Sequence, residues 1–219
     1  MKFLTFENYK IYYTEQDLEW KIKQVYEEIF VRKCYETTGV EIGSGDVVID
    51  GGAHLGMFSL YAISKGARKV IAFEPDLTNF RLLAENTIID LRILIYFRAL
   101  WSVPGKMLNF RSIPTDSPSS GVVITGANAQ AYSETIDNLV DKISIDQVDF
   151  IKLDVECSEL QALKGAKNTI LKYNPKLAIA LYHQPNDYID IPNYLSNEFD
   201  YEQVIVNPDK VGIYRKREK

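Results

Sequence analysis

Two periodicities divide the chain. The opening FLTFENYKIYY alternates apolar and polar positions and predicts a short hairpin. Residues 15–35 then place Leu18, Ile22, Val25, Tyr26, Ile29 and Phe30 at three- and four-residue intervals with charges between them, the stripe of an amphipathic helix. After Gly45 short β-branched runs alternate with helical stretches. DVVID predicts a strand and GMFSLYAISKG a helix that stops at Gly66. KVIAFE predicts a second strand, and DLTNFRLLAENTII a second helix with Asp76 as its N-cap. RILIYFRAL is a third strand. Strand and helix recurring in this way predict parallel strands joined by crossover helices, hence a doubly wound α/β sheet.

The alternation breaks over residues 101–132. Prolines stand there at 104, 114 and 118, and KMLNF and GVVIT read as short β pieces. Regularity returns with a helix at TIDNLVDK, a strand at VDFIKLDVE, a helix at SELQALKGAKNTILKY and a strand at KLAIALYH. A helix within residues 188–197 follows, and YEQVIVN and VGIYRK, joined through PD, predict an antiparallel pair. The expected organisation is a hairpin and helix over residues 1–44, then an α/β domain over residues 45–219 with a β-rich insertion at about 101–132.

Composition narrows the setting. A chain of 219 residues, 46% hydrophobic, buries a core without disulfide or metal staples. Cys34 and Cys157 stand far apart and make no disulfide framework, which suits a reducing compartment. No apolar run approaches the ~20 residues of a bilayer span, and MKFLTFENYK lacks the apolar centre of a signal peptide. The expected location is therefore cytoplasmic. A net charge of −5 argues against a nucleic-acid partner, and the basic tail YRKREK reads as a solvated terminus.

The candidate chemistry begins where the first strand ends. Asp50, Gly51, Gly52, Ala53, His54 and Gly56 form a strand-to-helix loop, the place where open α/β sheets bind ligands. Glycine lets a ligand approach the backbone, and the helix N-terminus offers N–H donors. A dinucleotide fingerprint needs G-x-G-x-x-G, and the second glycine is absent from its offset. Asp50 would also face a pyrophosphate dianion. S-adenosylmethionine fits better, because its sulfonium and ammonium are cationic and its carboxylate suits the N–H donors. Glu74 ends the second strand, where an acid accepts from both ribose hydroxyls. Pro75 and Asp76 follow it, Asp76 being alternatively a plain helix cap. Asn86 and the Ala99–Leu100 turn are placed to approach the adenine.

Several ordered segments carry a resemblance. VVIDGGAHLGMFSLY, VIAFEPDLTNFRLLAEN, ETIDNLV, VDFIKLDVECSELQALKGA and PKLAIALYH resemble the FkbM family of S-adenosylmethionine-dependent methyltransferases over roughly residues 40–195. The resemblance implies a class I methyltransferase fold, a seven-stranded Rossmann-like sheet whose last strand is antiparallel. It also implies O-methylation, often of sugar hydroxyls. Two positions depart from the pattern. His54 stands where methyltransferase loops generally have glycine, and Cys157 replaces the glycine of Asp-Val-Glu-Gly, which strains a cysteine if φ is positive there.

Methyl transfer to a hydroxyl requires alignment and a place for the proton. Asp154 and Glu156 lie at the end of the fourth strand, on one face while strand geometry lasts. They orient the hydroxyl, accept its proton or hold a cation; the structural alternative is a hydrogen bond for Asp154 and a helix cap for Glu156. His183, after the fifth strand, is a candidate base on the acceptor side, whereas His54 lines the cofactor loop or is solvated. Lys33 and Tyr35 close over the cofactor or belong to surface and core. A metal held by His183 and Asp154 is conceivable, but no residues have dedicated metal-ligand spacing, so no metal is expected. The partner is a small-molecule or glycan acceptor, with a homodimer suited to an exposed helical stripe. Two rival readings remain: an NAD-linked oxidoreductase, and a non-catalytic nucleotide-binding scaffold of the same fold.

Overall fold

The computed structural model describes residues 1–15, 18–111, 121–122 and 128–217. Strands β1 (Lys2–Phe6) and β2 (Tyr9–Tyr13) form the N-terminal hairpin. Helix α1 (Glu19–Tyr26) runs into a π-helical turn, Glu27–Val31, in which Arg32 N donates to Glu27 O at 2.8 Å. Then follow β3 (Val47–Gly51), α2 (Met57–Ser64), β4 (Lys69–Phe73), α3 (Leu77–Thr87) and β5 (Ile93–Tyr96). A short strand, β6 (Ala99–Leu100), precedes β7 (Met107–Arg111), β8 (Gly121–Val122) and β9 (Ala129–Glu134). The second half holds α4 (Ile136–Lys142), β10 (Phe150–Leu153), α5 (Glu159–Lys164), α6 (Lys167–Tyr173), β11 (Lys176–Ala180), α7 (Asp187–Phe199), β12 (Tyr201–Val206) and β13 (Val211–Lys216).

The main sheet has seven strands in the order β12-β13-β11-β10-β3-β4-β5. The strands from β11 to β5 are parallel, and β13 runs antiparallel to both β11 and β12. This is the doubly wound sheet with an antiparallel last strand that the segments imply. Every residue of β3 is buried, because helices cover both faces of a parallel sheet. Alternation sends Val48 into a core shared with α2, α3, the hairpin and α1, and Val47 and Ile49 into a core shared with α4, α6 and α7. Removing a Phe58- or Ile49-sized side chain from water contributes ~1.5–3 kcal/mol, so the two cores carry most of the stability.

Local departures from the sequence expectations have physical causes. The long helix expected over SELQALKGAKNTILKY is two helices, because at Gly165 the carbonyl of Trp101 occupies the space a side chain would need. The last helix is longer than expected at both ends. Between β5 and α4, strands β6-β9-β7-β8 form a second small sheet. Residues 112–120 and 123–127, which include Pro114, Pro118 and most of GVVIT, lie outside the described residues. Among the described residues no helix is long and apolar enough to cross a membrane.

Candidate active site at the strand ends

The glycine loop is strapped to β4. Gly52 N and Ala53 N both donate to Phe73 O, at 3.0 and 2.9 Å, and Gly56 N donates to Ala53 O at 2.8 Å. His54, at φ 51°, donates its N–H to Glu74 Oε2 at 2.8 Å. These four donors are thus engaged within the protein rather than presented to a ligand carboxylate, which revises part of the sequence expectation. At Gly52 φ is +74°, and an added Cβ would overlap the carbonyl oxygen of Asp154. The loop therefore rests directly on the end of β10.

Asp50 is revised as well. Its exposure is 0%, with Oδ2 accepting from Ser59 Oγ at 2.7 Å and Oδ1 from Lys152 Nζ at 3.2 Å. The carboxylate turns inward to brace the loop instead of meeting the cationic part of a ligand. Strand register explains this, since Asp50 and Lys152 are direct partners across β3 and β10. Lys152 Nζ also donates to Gly51 O at 3.1 Å and Gly52 O at 2.7 Å. Burial opposes its charge, but the Asp50 and Asp154 carboxylates outweigh burial and hold the ammonium above its usual range. Sequence reasoning passed over Lys152; the available signal was a lysine inside the otherwise apolar FIKL.

Glu74 is only 5% exposed and accepts from Asp76 N at 2.9 Å as well as from His54 N. Asp76 caps α3 by accepting from Asn79 N at 2.9 Å, and Pro75 between them is partly buried. Burial, partly opposed by the two backbone hydrogen bonds, pushes the Glu74 carboxyl from 4.5 up to about 7. Between these values the folded chain holds a proton that the unfolded chain has released. This contribution to stability is full below pH 4.5 and is lost as the pH rises through about 7, on the order of 3 kcal/mol at most. Urea unfolding of Glu74→Gln across that window should give a flatter pH dependence than the parent chain; identical slopes would place the titration elsewhere.

The remaining cofactor-side expectations fall beneath the loop. Ala99 and Leu100 are buried in β6, and the Leu100 side chain lies against Gly51. Asn86 accepts from Tyr12 N at 2.7 Å and donates to Leu55 O at 2.9 Å. It ties the N-terminal hairpin to the loop, which is a structural role. Lys33 is exposed.

The second cluster forms at the ends of β10 and β11. Asp154 Oδ2 accepts from Tyr35 Oη at 2.7 Å and Oδ1 from Tyr182 Oη at 3.0 Å. Tyr35 arrives from the segment after the π-helical turn, so it belongs to the core and to the site together. The side chain of His183 is 3% exposed; its Nδ1 lies 2.8 Å from Glu159 Oε1, and its Nε2 lies 3.5 Å from Asp154 Oδ1 and 3.3 Å from Glu156 Oε2. Glu159 Oε1 also accepts from Val155 N at 2.8 Å, and α5 has no side-chain cap at its N-cap Ser158, so Glu156 does not cap it. Glu159 and Tyr182 were not anticipated, for neither carries a motif.

The charges separate the two acids of the turn. Burial would protonate Asp154, but Lys152, His183 and the two tyrosine hydroxyls outweigh it and keep the carboxylate ionised. Burial pushes Glu156 up to about 7. Burial also opposes charge on His183, yet the Glu159 hydrogen bond and the surrounding carboxylates prevail and raise it to about 9. The raised value favours the protonated imidazole near neutral pH. Glu156, with a side chain 45% exposed against 21% for Asp154, is the more accessible of the two carboxyls.

The turn that assembles this cluster is strained. Strand geometry ends at Leu153, and Glu156 and Cys157 have φ of 51° and 72°. The strand alternation invoked for Asp154 and Glu156 therefore does not reach Glu156; the tight turn brings it to His183. A non-glycine residue at positive φ costs ~1 kcal/mol or more. Cys157→Gly should accordingly raise stability by about 1 kcal/mol, read as a higher urea midpoint. A lower midpoint would mean that the thiol contact with His183 O, at 3.5 Å, outweighs the strain. A cavity of about 360 Å³ lined by Arg98, Pro104, Gly105, Tyr132, Ser133, Glu134 and Asn138 lies beside β6 and β9 and includes no residue of either cluster.

Comparisons with known proteins agree with this geometry. A family model described as the methyltransferase FkbM domain matches residues 50–202. The 31-O-demethyl-FK506 methyltransferase FkbM of Streptomyces tacrolimicus is 45% identical over 65 residues, covering 29% of this chain and 25% of that protein. The hexuronic acid methyltransferase AglP of Haloferax volcanii is 27% identical over 191 residues, covering 86% of this chain and 77% of that one. Among solved structures, the methyltransferase FkbM from Methylobacillus flagellatus KT superposes with a TM-score of 0.60 at 26% identity, over 87% of this chain and 47% of that chain. The matched segments span a quarter of the first relative and about half of the solved one. With seven strands in this order, a glycine loop braced against β10, and a family match over more than half its length, the chain belongs to the FkbM methyltransferase domain family.

Proposed function

We propose that the protein transfers a methyl group from S-adenosylmethionine to a hydroxyl of a sugar or glycan precursor. The observation that carries this reading is the contact between the two halves of the site. Gly52 of the loop rests on the Asp154 backbone, so a cofactor lying against the glycine loop and Glu74 would stand next to Asp154, Glu156 and His183. The buried Glu74 carboxylate and the glycine approach suit a nucleoside carrying a cationic sulfonium. Bound there, S-adenosylmethionine supplies an electrophilic methyl carbon. Asp154, fixed by Tyr35 and Tyr182, orients the acceptor hydroxyl. Glu156 in its ionised form would take the proton of the acceptor hydroxyl. The similarity to a hexuronic acid methyltransferase over 86% of the chain supports a sugar acceptor.

Calorimetric titration with S-adenosylhomocysteine, with NADH as control, tests the cofactor. Binding of the former alone is the expected result, and binding of NADH alone would return the oxidoreductase reading. Once an acceptor is found among hexoses and hexuronates, Glu156→Gln should lower kcat about 10²-fold while S-adenosylhomocysteine affinity stays within twofold. Unchanged kcat would remove Glu156 from proton transfer.

A further inference from the structure

We infer that the cavity beside β6 and β9 binds an uncharged pyranose through Arg98, Tyr132, Glu134 and Asn138. No residue proposed for methyl transfer lines it, so this is a second site with its own ligand. Its volume of about 360 Å³ lies within the range of small-ligand pockets.

The first observation is a buried acid that is half in use. Glu134 is 8% exposed, and its Oε1 accepts from Thr135 N at 2.9 Å and from Asn138 Nδ2 at 2.8 Å. Its Oε2 accepts nothing among the described residues. The two bonds to Oε1 hold the carboxylate still, so Oε2 is a fixed acceptor at the cavity wall. A ligand hydroxyl that reaches it makes a charge-assisted hydrogen bond.

The second is a pair of opposite charges that do not meet. Arg98 commits one guanidinium nitrogen to Phe97 O at 2.8 Å, and its Nε and Nη2 have no partner among the described residues. Arg98 and Glu134 line the same cavity, yet no ion pair joins them among the described residues. An anionic ligand there would meet the carboxylate, and a cationic one the guanidinium. A ligand without net charge avoids both penalties. Hydroxyl groups donate and accept, so one polyol can donate to Glu134 Oε2 and accept from Arg98. Asn138 Oδ1 has no partner among the described residues and accepts from a further hydroxyl.

The third is Tyr132, which is 51% exposed. Strand alternation on β9 puts it on the same face as Glu134. Its ring offers an apolar surface to the C–H face of a pyranose while the sugar hydroxyls turn to the polar groups. The backbone behind these side chains is held before any ligand arrives. Trp101 N donates to Glu134 O at 2.9 Å, and Ser133 N to Lys106 O at 2.7 Å. Such preorganisation limits the ordering cost of binding. The four residues come from a loop, a strand and a helix, so no motif announced them.

The test titrates the full chain, followed by proton–nitrogen correlation spectra. The neutral probes are the methyl glycosides of glucose, galactose and mannose; methyl glucuronide and glucosamine are the charged ones. At least one neutral glycoside should shift the Asn138 side-chain amide and the Gly105 and Glu134 backbone amides with millimolar affinity. The charged probes should bind about fivefold more weakly or worse. Arg98→Ala and Tyr132→Ala, both at exposed positions, should each weaken the neutral glycoside about fivefold. No shift at these amides with any neutral probe, equal binding of the charged probes, or unchanged affinity in both variants overturns the inference. Displacement of the glycoside by S-adenosylhomocysteine also overturns it, because the cavity would then belong to the cofactor. Where the variants fail to fold, the shifts and charge preference of the parent chain decide. A linear trisaccharide that binds more tightly than its methyl glycoside makes the ligand a glycan unit, and equal affinity makes it a single sugar; both outcomes support the site. Failure here leaves the methyltransferase reading untouched, since that reading is tested by S-adenosylhomocysteine binding alone.

Discussion

Gly52→Ala is expected to destabilise the protein by more than about 3 kcal/mol and to abolish measurable cofactor affinity in whatever fraction folds. Two costs combine. An L-residue at φ +74° gives up ~1–2 kcal/mol of backbone energy. The larger cost is steric, because the new methyl group meets the carbonyl oxygen of Asp154, a backbone atom that cannot rotate away. Relief requires the loop to lift off β10, which breaks the bonds from Gly52 N and Ala53 N to Phe73 O. Domains of this size are stable by ~5–15 kcal/mol, so the loss is a large share of the total. Gly45→Ala is the matched control. It has φ +86° with nothing within 4 Å of an added Cβ, so only the backbone cost of about 1 kcal/mol applies. Urea unfolding of the two variants isolates the contact, and equal losses would show that the approach to Asp154 is not tight.

Lys152→Met should cost about 3–5 kcal/mol. Lys152 and Asp50 have side-chain exposures of 4% and 0%, and removing the ammonium leaves a buried carboxylate with the Ser59 hydroxyl as its remaining side-chain partner among the described residues. Gly51 O and Gly52 O lose a donor at the same time. The charge imbalance, rather than lost volume, is the expected cause. Asp50→Asn combined with Lys152→Met removes both charges, and the double variant should be markedly more stable than the sum of the single losses predicts. Additive losses in equilibrium unfolding would contradict the pairing. Retained stability with weakened S-adenosylhomocysteine binding would confine the pair to shaping the loop.

Both predictions concern residues whose importance was unevenly visible beforehand. Gly52 stood out in GGAHLG, because glycine beside a strand end signals close approach. Asp50 stood out equally but for the wrong reason, since its partner Lys152 lies 102 positions away and only the β3–β10 register brings them together. His183 was read from its place after an apolar strand; its three carboxylate neighbours were invisible. Cys157 shows the opposite case, where a motif departure pointed to a positive φ that the backbone has.

The sequence by itself determined the strand and helix alternation, the doubly wound class, the antiparallel closing pair and the strand ends at which the candidate residues lie. These are written in local periodicity and in glycine and capping positions, which act over a few residues. Tertiary structure alone decided which way Asp50 turns, that Tyr35 and Tyr182 hold Asp154, and that Glu159 holds His183. Such pairings depend on sheet order, strand register and burial, which raise the strength of a charge contact only after distant segments have excluded water.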